Sequence, residues 1–285
     1  MSGGTVTART ATRANLLLAI FRYVLLILGA AVFLVPFAWM ISSSLKTSRE
    51  IFAFPPVAWP VSPQWHNYAD AVNTIPFLRY LLNTLLVCAG SVAGSVFSAS
   101  LVAYSFGILR WRGRNFCFKL LLAMMLLPPQ VTMVPIFVIF RYLGMIDTFW
   151  PLILPSFFGI PFFIFLVRQF YLGIPYDLVE AARIDGCSEW TIYWRVILPL
   201  SGPALATVAL FAFTWAWTDF LNPLIYLQEQ SHFTLSLGLQ QFQESHNAQW
   251  ALLMAAAALI TLPMVVLFFA LQRYFVEGIA TTGLK

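Results

Sequence analysis

Charged side chains are scarce here, and residues 180–199, EAARIDGCSEWTIYWRVILP, gather five of them: Glu180, Arg183, Asp185, Glu189 and Arg195, in a 285-residue chain that is only 9% charged. Their types and spacing suit recognition rather than bond-making. Asp177 can cap a helix after Pro175, with Glu180 three residues on. Ala181 and Ala182 leave that helix bare on one side. Gly186 can end it in a left-handed conformation. Ser188 can cap a second short helix that carries Glu189 and the apolar Trp190, Ile192, Tyr193 and Trp194. The expectation is two short helices meeting at a glycine. On local physics alone, Glu180 either closes a capping box or is free to meet a partner.

No catalytic constellation emerges from the other reactive side chains. Cys88, Cys117 and Cys187 have no Cys or His at metal-ligand spacing and are expected to be unpaired. His66, His232 and His246 all lie outside the apolar runs. The chain contains no Gly-Lys pair, hence no phosphate-cradling loop, so any nucleotide energy must come from another polypeptide.

The elements that position the charged segment are apolar. The chain is 60% hydrophobic, with a mean hydropathy of +0.82. Soluble domains carry about 25% charged residues, so lipid is the expected solvent. The net charge of +5 is spread along membrane edges, which excludes nucleic acid as a partner. Residues 1–15 read as a short tail before a first span, not as a transit peptide.

A helix needs about 20 apolar residues to cross a bilayer. Six candidate spans follow: about 20–42, 81–108, 119–140, 149–170, 201–226 and 250–271. Six spans put both termini on one side. If that side is the cytosol, only Lys46, Arg49, Arg79 and Arg141 of the sixteen basic residues fall outside. The positive-inside rule therefore expects both termini and the loop 171–199 in the cytosol. The fold class expected is all-α: one polytopic membrane domain over 1–285, with loops 43–80, 141–148 and 227–249 outside.

Within the spans, small residues recur at Gly90, Ser91, Gly94, Ser95 and Ser98, a face that admits another helix. Pro128, Pro129 and Pro135 break the third span, as in a helix that lines a path, forms a hinge or is kinked for packing. Trp215, Trp217, Asp219 and Asn222 near the end of the fifth are either an interface belt or a substrate path of aromatic faces and polar groups. Outer loop 227–249 carries Gln228, Gln240, Gln241, Gln243, Asn247 and Gln249, amides suited to hydroxyl-rich ligands or simply to water. Trp59, Trp65 and Tyr68 of the first outer loop are placed to cover the outer mouth.

The pattern Glu180-Ala181-Ala182, three residues, Gly186, then Leu198-Pro199 resembles the EAA loop of ABC importer permeases, with Asp185 before the glycine also typical. SLKTSREIFAFPP at 44–56, LLPPQVTMVPIF at 126–137, WTDFLNPLIYL at 217–227 and QRYFVEGIATTG at 272–283 are similar to the carbohydrate-uptake branch, in its shorter permease subunits. The resemblance implies a coupling helix that docks on a cytosolic ATPase dimer. Glu180 would make the charged contact, Ala181 and Ala182 the close packing, and Gly186 the bend. It implies an ATPase-contacting tail at 272–285 with Gln272, Gly278 and Gly283, although the end Gly283-Leu284-Lys285 departs from the usual run. The implied partners are a second permease, the ATPase, which would hold ATP and Mg, and an extracytoplasmic solute-binding protein, with no cofactor on this chain. A polytopic membrane enzyme and a stand-alone transporter are the alternatives.

Overall fold

A computed structural model describes residues 5–244 and 249–282, and side chains over 18–243 and 249–270. Every regular element among them is helical. By packing, the chain divides into a unit of residues 1–71 and 245–259 and a larger one of 72–244 and 260–285.

The smaller unit is dominated by α1 (Thr5–Ser44). From Leu18 onward its apolar side chains are left bare, with Val32 and Phe33 69% and 79% exposed. A helix hydrophobic on all sides and unpacked belongs in lipid or against a partner. Its C-terminal end is the reverse, a tight polar closure of buried Ser42, Ser43, Ser44 and Lys46. Asn67 Nδ2 donates to the carbonyls of Ser44 at 2.8 Å and Lys46 at 3.1 Å, satisfying groups that the helix leaves unpaired. Of the outer-loop aromatics, Trp59 and Trp65 are exposed, whereas the Tyr68 hydroxyl bonds Ser44 Oγ at 2.8 Å.

The larger unit is organised around α2 (Phe77–Gly107). The third predicted span is two helices, α3 (Arg114–Met124) and α4 (Pro129–Tyr142), meeting at 96°. A proline ring clashes with the carbonyl four residues before it. For Pro128 and Pro129 those are Met124 and Met125, and α3 stops at Met124. The fourth span comprises α5 (Trp150–Phe157) and α6 (Pro161–Tyr171). The charged loop forms α7 (Asp177–Ile184) and α8 (Glu189–Ile192), the latter continuing through a π turn, Tyr193–Ile197, to Leu200. Then come α9 (Gly202–Thr218), at 76° to the preceding segment, α10 (Leu221–Tyr226) and α11 (Trp250–Thr282). Among the described residues four helices are long and apolar enough to cross a membrane, and the two bent pairs make six if each is one span.

One expectation needs correction. The fifth span ends at Thr218, not 226. Pro223 excludes a helical carbonyl at Asp219, whose backbone turns extended (φ −67°, ψ 119°) and whose freed carbonyl accepts the Ser236 hydroxyl at 2.6 Å. At the chain's end, α11 continues through Gln272 and Gly278 to Thr282, so the first part of the expected tail 272–285 is helical. Gly283 lies outside the described residues, as do His246 and Asn247.

The small-residue face of α2 serves packing inside the chain. It lies against α5, α6 and α9. A Cβ on Gly90 would come within 2.8–3.0 Å of Ile153, and one on Gly94 would overlap Ser156 and Phe157. Ser98 Oγ donates to the Ser156 carbonyl at 2.8 Å. The same core continues into the charged loop. Tyr104, Phe163 and Tyr171 from the spans are buried with Val179, Ile192, Tyr193 and Ile197. α7 and α8 are thus anchored to the membrane helices by their inner faces.

Candidate functional site

The turn between α7 and α8 is held by Gly186. Its φ of +79° is the left-handed conformation that costs glycine nothing. The Gly186 N–H donates to the Arg183 carbonyl and the Cys187 N–H to that of Ala182, both at 3.0 Å, the paired closure of a Schellman motif. At the start of α8, Ser188 Oγ accepts from the Thr191 N–H at 3.3 Å, as its type and position lead one to expect. The start of α7 departs from expectation. Tyr176 is already helical (φ −66°, ψ −23°), so Asp177 is the first helical residue and caps nothing. The turn begins earlier, with the Pro175 carbonyl accepting from Leu178 N–H. No capping box therefore occupies Glu180.

An ion pair fixes the elbow. Arg183 Nε donates to Glu189 Oε1 at 2.7 Å, and Arg183 Nη1 to the Tyr176 hydroxyl at 2.7 Å. Glu189 Oε2 accepts from the Tyr104 hydroxyl of α2 at 2.8 Å. Arg110 lies over the Tyr176 ring, 4.3 Å from its centroid. Partial burial works against the Glu189 carboxylate, but the bonds from Arg183 and Tyr104 outweigh it and hold the carboxyl below its usual range. The contacts that join Arg183, Glu189, Tyr176 and Tyr104 escaped the sequence reading. The available signal was an opposite-charge pair straddling the glycine.

What this framework presents outward is α7. Val179 is fully buried, whereas Glu180, Ala181 and Asp185 are exposed, Ala182 is half-buried, and Ile184 is 86% exposed. The Glu180 N–H donates to the Tyr176 carbonyl at 3.1 Å, but among the described residues its carboxylate has no hydrogen bond or ion pair. A short, rigidly held helix with a free carboxylate, small side chains and a bare isoleucine is chemically a plug.

A second polar locus lies at the far end of α9. Asp219 Oδ2 accepts from Asn222 Nδ2 at 2.8 Å, and Asp219 Oδ1 from the Asn222 N–H at 3.2 Å. Both residues line two adjoining pockets of 260 Å³ and 210 Å³. Pro129, at the break in the third span, lines the first. Trp215 lines the second, stacked on Phe163 at 4.8 Å between centroids. Trp217 does not join them. It is buried, stacked on Phe213, with its Nε1 donating to the Ile260 carbonyl at 3.2 Å.

The loop after α10, expected on the outer side, is in part docked rather than merely solvated. Asn83 Nδ2 of α2 donates to the Ser231 and Phe233 carbonyls, and the Leu235 N–H donates to Thr84 Oγ1 at 2.9 Å. Gln241 spends its amide on the Tyr80 hydroxyl at 3.1 Å, while Gln228 and Gln243 remain exposed. Asp147, at φ +61°, ties this loop down: its Oδ1 accepts the N–H groups of Gln228 and Glu229 at 2.9 Å and lies 3.2 Å from His232 Nδ1.

Residues 95–281 match the family of binding-protein-dependent transport system inner membrane components. The chain is similar to the probable ABC transporter permease protein YurM of Bacillus subtilis, 34% identical over 88% of this chain and 83% of that one. It is 30% identical to the arabinooligosaccharides transport system permease protein AraQ of the same organism, over 89% and 91%. It is also 30% identical to the galactooligosaccharides permease protein GanQ, over 93% and 95%. The fold is that of a bacterial ABC transporter involved in importing the acidic polysaccharide alginate, with a TM-score of 0.79 over 92% of this chain and 98% of that one, at 24% identity.

Proposed function

The chain belongs to the family of binding-protein-dependent transport system inner membrane components, and we infer that it carries a sugar or related polyol as one of two permease subunits of an ABC importer. The family is one of transport components, not enzymes, and its members sit in the inner membrane. The carbohydrate substrate rests on relatives such as AraQ and GanQ, whose names give arabinooligosaccharides and galactooligosaccharides.

The observation that carries the coupling role is the exposed face of α7. Its backbone is fixed by the Gly186 turn and the Arg183–Glu189 pair, so a push on Glu180, Ala181 or Ile184 passes to Tyr104 in α2 and the core beneath. In this reading α7 docks on a cytosolic ATPase dimer, which binds ATP and Mg. Asp185 and the Gln272, Gly278 and Gly283 region supply further ATPase contacts. Both termini are cytosolic, in keeping with the distribution of Lys and Arg. A solute-binding protein delivers substrate to the outer loops, and a second permease completes the path.

The test is transport by the reconstituted complex. Glu180→Ala and Gly186→Leu leave the protein inserted but lower both ATPase binding and uptake. Normal transport by both variants would exclude the coupling role. Purification of the tagged chain brings down an ATPase and a second permease, whereas a chain that transports alone would come down without them.

A further inference from the structure

The two pockets beside Asp219 have a charge character that bears on the cargo. They share Leu152, Pro155, Asp219 and Asn222. Asp219 is the single charged side chain among all their lining residues. Its neighbours are hydrogen-bonding but neutral: Gln130 on one side, Ser91 and Ser95 on the other. Ser95 adds an unpaired polar group to the wall. It is 1% exposed, lines the smaller pocket, and its Oγ has no hydrogen-bond partner. A buried hydroxyl left unpaired is costly, and this one lies in the wall of the cavity.

The clasp is shaped to accept hydrogen bonds. Asn222 gives one of its two Nδ2–H groups and its backbone N–H to Asp219, which leaves its amide oxygen as an acceptor and one amide N–H as a donor. The Asp219 carboxylate oxygens each retain a further acceptor site. Hydroxyl groups of a ligand can satisfy these acceptors, and the exposed part of Trp215, 46% accessible, offers an apolar surface to the same ligand. A carboxylate or phosphate on the ligand would meet Asp219 with no cation among the lining residues.

We propose that Asp219 and Asn222, beside the wall that holds Ser95, form a subsite for an uncharged, hydroxyl-rich sugar ring and turn away anionic sugars. This rests on the carbohydrate reading above and narrows it: uronates and sugar phosphates are poor cargo for this chain.

The test places a reporter cysteine at Met133, which lines the larger pocket, in an assembled complex whose native cysteines are replaced by serine. Labelling by a neutral maleimide is followed with neutral arabino- or galacto-oligosaccharides and with an oligouronate of similar length. Neutral sugars slow labelling several-fold and the oligouronate does not. In Asp219→Asn, which keeps the size and the turn, the oligouronate protects as well. Equal protection by both sugars with Asp219 present overturns the proposal. So does absence of protection in a complex that, with its binding protein, still imports a neutral sugar; the carbohydrate reading then stands. A complex that imports none of the panel overturns both.

Discussion

Arg183 and Glu189 meet at 2.7 Å across the Gly186 turn, so their ion pair closes an elbow between two helices rather than bracing one. The side chains are 35% and 45% exposed, and pairs so placed contribute about 0.2–1 kcal/mol. Their importance is geometric, because Glu189 also receives Tyr104 of α2.

Glu189→Gln and Arg183→Met therefore leave insertion and thermal stability almost unchanged but loosen the elbow. ATPase stimulation by substrate falls several-fold in each, and the double variant is little worse than either single one, as expected for residues in contact. Additive losses would show that the two act separately. Because the Glu189 carboxyl is held below its ordinary value, the elbow's stabilisation is present above about pH 4 and is lost as pH falls through the lower folded value. Hydrogen exchange of 177–192 as a function of pH measures it.

Gly186→Ala isolates backbone strain. Nothing lies within 4 Å of an added Cβ, so the substitution meets no clash, only the left-handed φ of +79°. The cost is about 1–2 kcal/mol, and Gly186→Asn costs less because asparagine visits this conformation more readily. Coupled ATPase activity should rank Gly above Asn above Ala. Equal activity for all three would mean that the turn does not need this geometry when docked.

Gly94→Ala tests the opposite situation. The helix tolerates alanine, but its Cβ would overlap Ser156 and Phe157, pressing α5 away from α2. Overpacking of this kind costs about 1–3 kcal/mol. The melting temperature of the detergent-solubilised protein drops, and Gly29→Ala, with open space around it, is the control that does not shift it.

The residues show why some of this was legible and some was not. Gly186 and Ser188 announce their roles because left-handed φ and side-chain capping are local demands. Asp177 misled because Pro175 and Tyr176 start the helix before it. The end of the fifth span was overrun because LNPLIYL stays apolar beyond Thr218, although the place of Pro223 four residues after Asp219 marks the break. Trp215 and Trp217 stand about 200° apart on one helix, so one lines a pocket while the other enters the core. Hydropathy registers both as aromatic and cannot orient them. The cavity beside Ser95 is lined from α2, α5, α6, α9 and α10, which no local pattern brings together.

Asp147 sets up a pH-sensitive fastening of the loop after α10. Its carboxylate accepts the N–H groups of Gln228 and Glu229 and faces His232, while its own N–H donates to the Tyr226 carbonyl at 2.8 Å. Burial alone would raise its carboxyl, but the two backbone N–H bonds and His232 prevail and hold it low. A depressed carboxyl stabilises above the unfolded value, about pH 4, and the contribution disappears as pH falls through the folded one. Asp147→Ala removes the acceptor and also forces alanine to φ +61°. Asp147→Gly removes the acceptor alone, and Asp147→Asn keeps the conformation and one acceptor oxygen. Losing the bonds costs about 1–3 kcal/mol. Protease cleavage within 227–232 should accordingly rise in the order wild type, Asn, Gly, Ala at pH 7. In the wild type it should rise again only in acid below about pH 4. Cleavage that is independent of the variant would show that the loop is held instead by its bonds to Asn83 and Thr84.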